Sequence, residues 1–183
     1  MSETPPLRDS GTATLGLREQ PWLLRAVYWL GALVAVLHLV MNFTTLFSTQ
    51  WQSTLHFVGL GILAMLLYPP VRSVRIAASR GWLAVDLCLA VVFVVATLWV
   101  VGSEDAIYDR GVNMTAFEQG LAVVTIIAAI ELTRRTTGLV IPILIVVSLT
   151  YVVGWGGWLD NIFKFAGLST ETLLFRSIYG DDA

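Results

Sequence analysis

The stretch WLAVDLCLAVVFVVATLWVV, Trp82 to Val101, decides the fold. About 20 mostly apolar helical residues cross a bilayer core, and this run has that length with Asp86 as its one charge. A membrane β-strand would instead alternate apolar and polar residues over segments of about 10. Leu89 to Ala96 shows no alternation. The run therefore reads as a helix, whose backbone polar groups pair within the segment and need no water.

Working outward, four more apolar stretches follow the same logic: Ala26–Phe47, Thr54–Tyr68, Phe117–Leu132 and Leu139–Val153. The second and fourth of the five have short strictly apolar cores. They reach spanning length only with flanking Trp51, Gln52, Thr115 and Gln119. A chain 56% hydrophobic and 13% charged, with mean hydropathy +0.76, is too apolar for a water-soluble domain of 183 residues. The expected fold is all-α: a polytopic helical membrane protein with about five transmembrane helices and a short interfacial C-terminal helix. The expected organisation is a polar cytoplasmic tail over 1–21, a five-helix membrane domain over 22–158 and a periplasmic interfacial segment over 159–183.

The arginines orient this bundle, because short cytoplasmic loops are enriched in Lys and Arg. Arg8, Arg18, Arg25, Arg72, Arg75, Arg80, Arg134 and Arg135 fall on one side, against Arg110, Lys164 and Arg176 on the other. The N-terminus is expected inside and the C-terminus outside. Trp22, Trp51, Trp82, Trp99, Trp155 and Trp158 sit near span ends, where amphipathic rings settle at headgroup level. The polar first 20 residues and the long first apolar run do not have the pattern of a secretory signal. Cys88 is alone, which excludes a disulfide framework and reads as a small apolar filler. A net charge of −2 and the lack of a basic aromatic surface argue against nucleic-acid binding.

Few polar residues remain to carry chemistry. His38 and His56, on neighbouring helices, raise the possibility of a bis-His haem. The stretch boundaries place His38 about 13 Å below the outer end of its helix and His56 only a few Å down, so interhelical hydrogen bonding is expected instead. Asp86 is an intramembrane acid and hence a functional candidate by default. It lies about a turn from its helix N-terminus, within reach of Arg80, so an ion pair is preferred to a proton relay. Glu131 and Arg135 form an i,i+4 pair in the favoured orientation, and Arg134 joins them at the end of the fourth span. The bland reading of that group is a solvated helix end. The loop 102–118, with Glu104, Asp105, Asp109 and Glu118 around Arg110, reads either as a docking surface or as a solvated loop. Further on, Ser169 is a good N-cap, Glu171 suits a first helical turn, and Gly180 would end that helix.

One ordered series runs through these positions. It comprises Thr54-Leu55-His56-Phe57, Leu66-Leu67-Tyr68-Pro69, Asp86, Tyr108-Asp109-Arg110-Gly111, Glu131-Leu132-Thr133-Arg134-Arg135-Thr136-Thr137-Gly138, Pro142 and Tyr151. Together they resemble the N-terminal membrane region of tripartite ATP-independent periplasmic (TRAP) transporters of the TAXI type, from about Trp22 to the C-terminus. The resemblance implies a non-catalytic small membrane subunit, or the front of a fused permease, in a bacterial inner membrane. It implies a sodium-driven transporter for organic acids, with a large multi-span permease and a periplasmic substrate-binding protein as partners. Substrate and sodium would be handled by the large partner, so this chain is expected to hold no cofactor or metal. His56, Asp86, Arg110, Glu131, Arg134, Arg135 and Gly138 are then structural or interface residues. Two other readings compete: a small haem- or quinone-linked redox subunit using His38 and His56, and a self-sufficient carrier or proton channel resting on Asp86.

Overall fold

The structure, a computed structural model, describes residues 21–44, 46–70, 80–111 and 113–179, except the side chains of 80, 83 and 179. These residues form seven α-helices and no strand. They are α1 (Pro21–Phe43), α2 (Thr49–Leu67), α3 (Arg80–Gly102), the short α4 (Glu104–Asp109), α5 (Ala116–Thr137), α6 (Val140–Val153) and α7 (Thr170–Tyr179). A 3₁₀ turn, Trp155–Trp158, follows α6.

Local chemistry sets the ends. The Ser48 hydroxyl accepts from Trp51 N and starts α2. Thr115 and Glu118 form a capping box at the start of α5, each side chain accepting from the other's backbone N–H. Gly138 ends α5 at φ 89°, ψ −159°, backbone space open in practice to glycine alone, and its N–H donates to Arg134 O. Pro142, third in α6, falls in the first turn, where its missing N–H is harmless. The Ser169 hydroxyl accepts from Thr172 N and opens α7 as expected. Gly180, Arg72 and Arg75 lie outside the described residues.

The first helix corrects the stretch expected at Ala26–Phe47. It runs from Pro21 to Phe43, and Leu46 and Phe47 belong to the connection into the Ser48 cap. Hydrophobicity extends through that connection, but the helix stops before it, and Ser48 caps the start of the next one.

Helix α1 packs on α2, α2 on α3 and α5, α3 on α5, and α5 on both α6 and α7. Two glycines allow close approach on α2. Gly59 lies against Val34 of α1, and Gly61 lies against Phe93 of α3 and Leu132 of α5. One apolar core gathers Val58, Met65, Ala90, Phe93 and Leu132; another gathers Val100, Ile107, Met114, Ala122 and Leu174. Outside these cores the helices present apolar faces outward, including Leu33, Val36, Val91, Val95, Ile127 and Leu144. Exposed apolar surface on that scale marks contact with lipid or partner.

Among the described residues, three helices are long and apolar enough to cross a membrane: Pro21–Phe43, Ala84–Gly102 and Ala116–Thr137. The described residues are thus all-helical, and these helices point to a membrane location. Helix α2 has the length, 19 residues or about 28 Å, but a polar start with Gln50, Gln52 and His56. Helix α6 is apolar but has only 14 residues, about 21 Å.

Candidate functional site

Charge is concentrated at the end of the bundle where α2 finishes, α3 begins and α5 finishes. Arg135, in the last turn of α5, reaches across to α3, placing Nη2 3.0 Å from Asp86 Oδ1. Their side chains are 1% and 3% exposed. Arg135 Nε also donates to Glu131 Oε1 at 2.8 Å, one turn back on its own helix. Arg134 donates through Nε and Nη2 to both oxygens of Glu131, at 2.7 and 2.8 Å.

The guanidiniums then reach the end of α2. Arg134 Nη2 donates to Pro70 O at 2.7 Å, and Arg135 Nη1 lies 3.4 Å from Tyr68 O. Carbonyls past a helix C-terminus carry its negative dipole end and favour cations there. Among the described side chains, two carboxylates face two guanidiniums, whose rigid forks reach three helices. Removing one partner of such a buried pair costs far more than the pair itself contributes. The arrangement is suited to locking α2, α3 and α5 at one register.

This revises one expectation. The charges at the end of α5 are not all solvated, since the Arg135 side chain is almost wholly buried, while those of Arg134 and Glu131 are about a third exposed. Asp86 takes part in an ion pair with Arg135 of another helix; the side chain of Arg80, its expected partner, lies outside the described residues.

The opposite end carries a second set of polar ties. Arg110 Nη2 lies 2.7 Å from each Glu118 oxygen, and its Nε donates to Asn113 O at 3.2 Å. Glu171 Oε1 accepts from Met114 N at 3.0 Å, and Gln50 Nε2 donates to Ile178 O, so α7 is fastened to the α4–α5 connection and to α2. Glu118 is therefore committed inside the fold, while Asp105 and Asp109 stay exposed. Trp99 of α3 meets Phe117 of α5 edge-to-face at the same end.

The histidines correct the depth argument. Because α1 stops at Phe43, His38 lies about 8 Å from that end, and His56 lies about 10 Å into α2. They sit level, with ring centroids 4.4 Å apart and edge-to-face. The Val34 carbonyl can only accept, so His38 Nδ1–H donates to it at 2.6 Å. In a neutral ring Nε2 then accepts, and His56 Nδ1–H is its donor. The expected interhelical hydrogen bond is present, although the reasoning that separated the rings was wrong.

Of the expected residues, Asp86, Glu131, Arg134, Arg135 and Gly138 gather at one end of the bundle. Arg110 belongs to the other end, and His56 to the α1–α2 contact. Buried Gln50, Thr97 and Thr125 had not been singled out, and Thr54 only as part of the series. Their signal was available, since each is a polar interruption on a helix of a largely apolar chain. Cys88 lies exposed on α3, among the outward apolar residues of that helix. Among the described residues, no three His, Cys, Asp or Glu side chains group as metal ligands.

The described residues thus form a helical bundle with helices fit for a membrane and a buried ionic lock at one end. Comparison with protein-family models, with curated proteins and with solved structures finds no match.

Proposed function

We propose that this chain is a five-span, non-catalytic scaffold subunit of a sodium-driven TRAP-type transporter for organic acids, or the corresponding front region of a fused permease. In this reading it sits in a bacterial inner membrane, N-terminus inside. It braces the large permease subunit and helps dock a periplasmic substrate-binding protein. The observation that carries the reading is the ionic lock. Tyr68, Asp86 and the group Glu131, Arg134, Arg135 and Gly138 come from three pieces of the series that resembles this family, and they meet at one end of three helices. A lock of that kind serves a part that holds still while another moves.

Five spans are favoured over three by where α2 begins and ends. Gln50 touches α7 at one end, and Tyr68 touches Arg135 at the other, so α2 runs the same height as α3 and α5. Helix α6 leaves Gly138 at the lock end and packs back along α5, and the 3₁₀ turn after it adds up to about 8 Å to its length. The test is co-purification with a large permease partner, followed by transport in vesicles with and without this chain. Loss of transport without it is expected; full transport by the large partner alone contradicts the proposal.

The level placement of His38 and His56 favours one second reading, a redox subunit with both as haem ligands. Their edge-to-face contact leaves no gap for a macrocycle between the rings. An absorbance spectrum of the purified protein with no Soret band disposes of this reading, and a Soret band lost in His38→Ala restores it.

A further inference from the structure

Beneath α7 a cavity of about 380 Å³ opens between α2, α3 and α5. That volume is near the small end of the range for ligand sites, about 300–1,000 Å³. Its roof is α7, held down by Gln50 Nε2 on Ile178 O and by Glu171 on Met114 N. Its polarity is graded. The mouth carries Arg176 and Ser177 of α7 with Ser53 of α2, all exposed. Among the described residues no carboxylate is within ion-pair distance of Arg176.

Further in, Phe57, Val101, Ile126 and Ala129 form the walls. From Gln50 to Phe57 the cavity descends α2 for about 10 Å, two helical turns. Thr97 and Thr125 line the interior between α3 and α5, with hydroxyls that are already engaged. Thr125 Oγ1 donates to Leu121 O at 3.0 Å and lies 3.4 Å from Thr97 Oγ1, so these two hydroxyls are tied to the helices, and Thr54 of α2 adds one more to the lining. A wholly polar solute would find few donors below the mouth and would strand the apolar walls. An anionic head on an apolar tail matches both ends.

We infer that this cavity binds an anionic phospholipid, one acyl chain running between α2 and α5 and the phosphate meeting Arg176 at the mouth. The depth agrees, since α7 lies across the end of the spans, where headgroups reside, and an Arg near a membrane surface contributes about 1 kcal/mol toward an anionic lipid. The inference needs the chain to lie in a membrane; it does not depend on the transporter reading.

The test is thermal unfolding of the full chain in detergent, titrated with phosphatidylglycerol or with phosphatidylcholine of the same acyl chains. Phosphatidylglycerol is expected to raise the unfolding midpoint more than phosphatidylcholine does. Arg176→Gln, at an exposed position, is expected to weaken phosphatidylglycerol about fivefold and remove the preference. Ala129→Leu, which fills the cavity while keeping the charge, is expected to blunt the response to both lipids. Equal stabilisation of the wild type by the two lipids overturns the inference, as does a preference that survives Arg176→Gln. Succinate, which has charge but no tail, is the third arm; if it reproduces the stabilisation, the site takes a soluble acid and the lipid assignment fails.

Discussion

Arg135 is the residue on which most of the structure turns. It is almost fully buried, and its fork meets Asp86 across a helix boundary and Glu131 along its own helix. Removing that guanidinium takes a buried partner from Asp86 and breaks the tie to Glu131, a loss of up to about 3–5 kcal/mol for a buried pair. Arg135→Ala is therefore expected to lower stability by about that amount in a detergent unfolding assay. Asp86→Ala should cost less, because Arg135 keeps Glu131. The double variant should cost clearly less than the two single losses together, a coupling of more than about 0.5 kcal/mol. Strictly additive losses would mean that the two side chains do not act as a pair. This partnership was only half legible in the sequence. The i,i+4 relation of Glu131 and Arg135 follows from helical period. Asp86 and Arg135 lie on separate helices, and no periodicity within one helix assigns a partner on another.

At the level of elements, hydropathy made the helices readable, and capping set where several of them begin or end. The capping box Thr115-Ala-Phe-Glu118 is a sequence signature, yet Thr115 had counted only as a flank of the apolar run. The same blind spot placed the end of α1 at Phe47 and so separated His38 from His56. The glycines of α2 let neighbouring helices approach closely, Gly59 facing α1 and Gly61 facing α3 and α5. A Cβ on Gly61 would lie 2.6 Å from Phe93 Cε1 and 3.2 Å from Leu132 Cδ1, whereas one on Gly31 of α1 meets nothing within 4 Å. Gly61→Ala is expected to destabilise the bundle by about 1–3 kcal/mol through overpacking. Gly31→Ala should be neutral or slightly stabilising, since alanine favours a helix interior. Equal melting temperatures for the two variants would contradict the α2–α3–α5 packing described here.

For the whole molecule, the decisive question is how many times the chain crosses the bilayer, because the proposed scaffold needs the ionic lock inside and α7 outside. Composition and the apolar runs made a helical membrane protein legible. The crossing number was less so, since α2 is polar at its start and α6 is short. Five crossings with the N-terminus inside put the α4 region outside and the α5–α6 connection inside. Three crossings by α1, α3 and α5 alone would reverse both. The direct measurement is labelling by a membrane-impermeant maleimide of single cysteines at two exposed positions, Asp105→Cys and Thr137→Cys, each in a Cys88→Ser background. In intact cells the expected result is labelling of Asp105→Cys, with Thr137→Cys labelled only after the membrane is permeabilised. Labelling of Thr137→Cys in intact cells, with Asp105→Cys protected, would contradict the five-span account and the scaffold built on it.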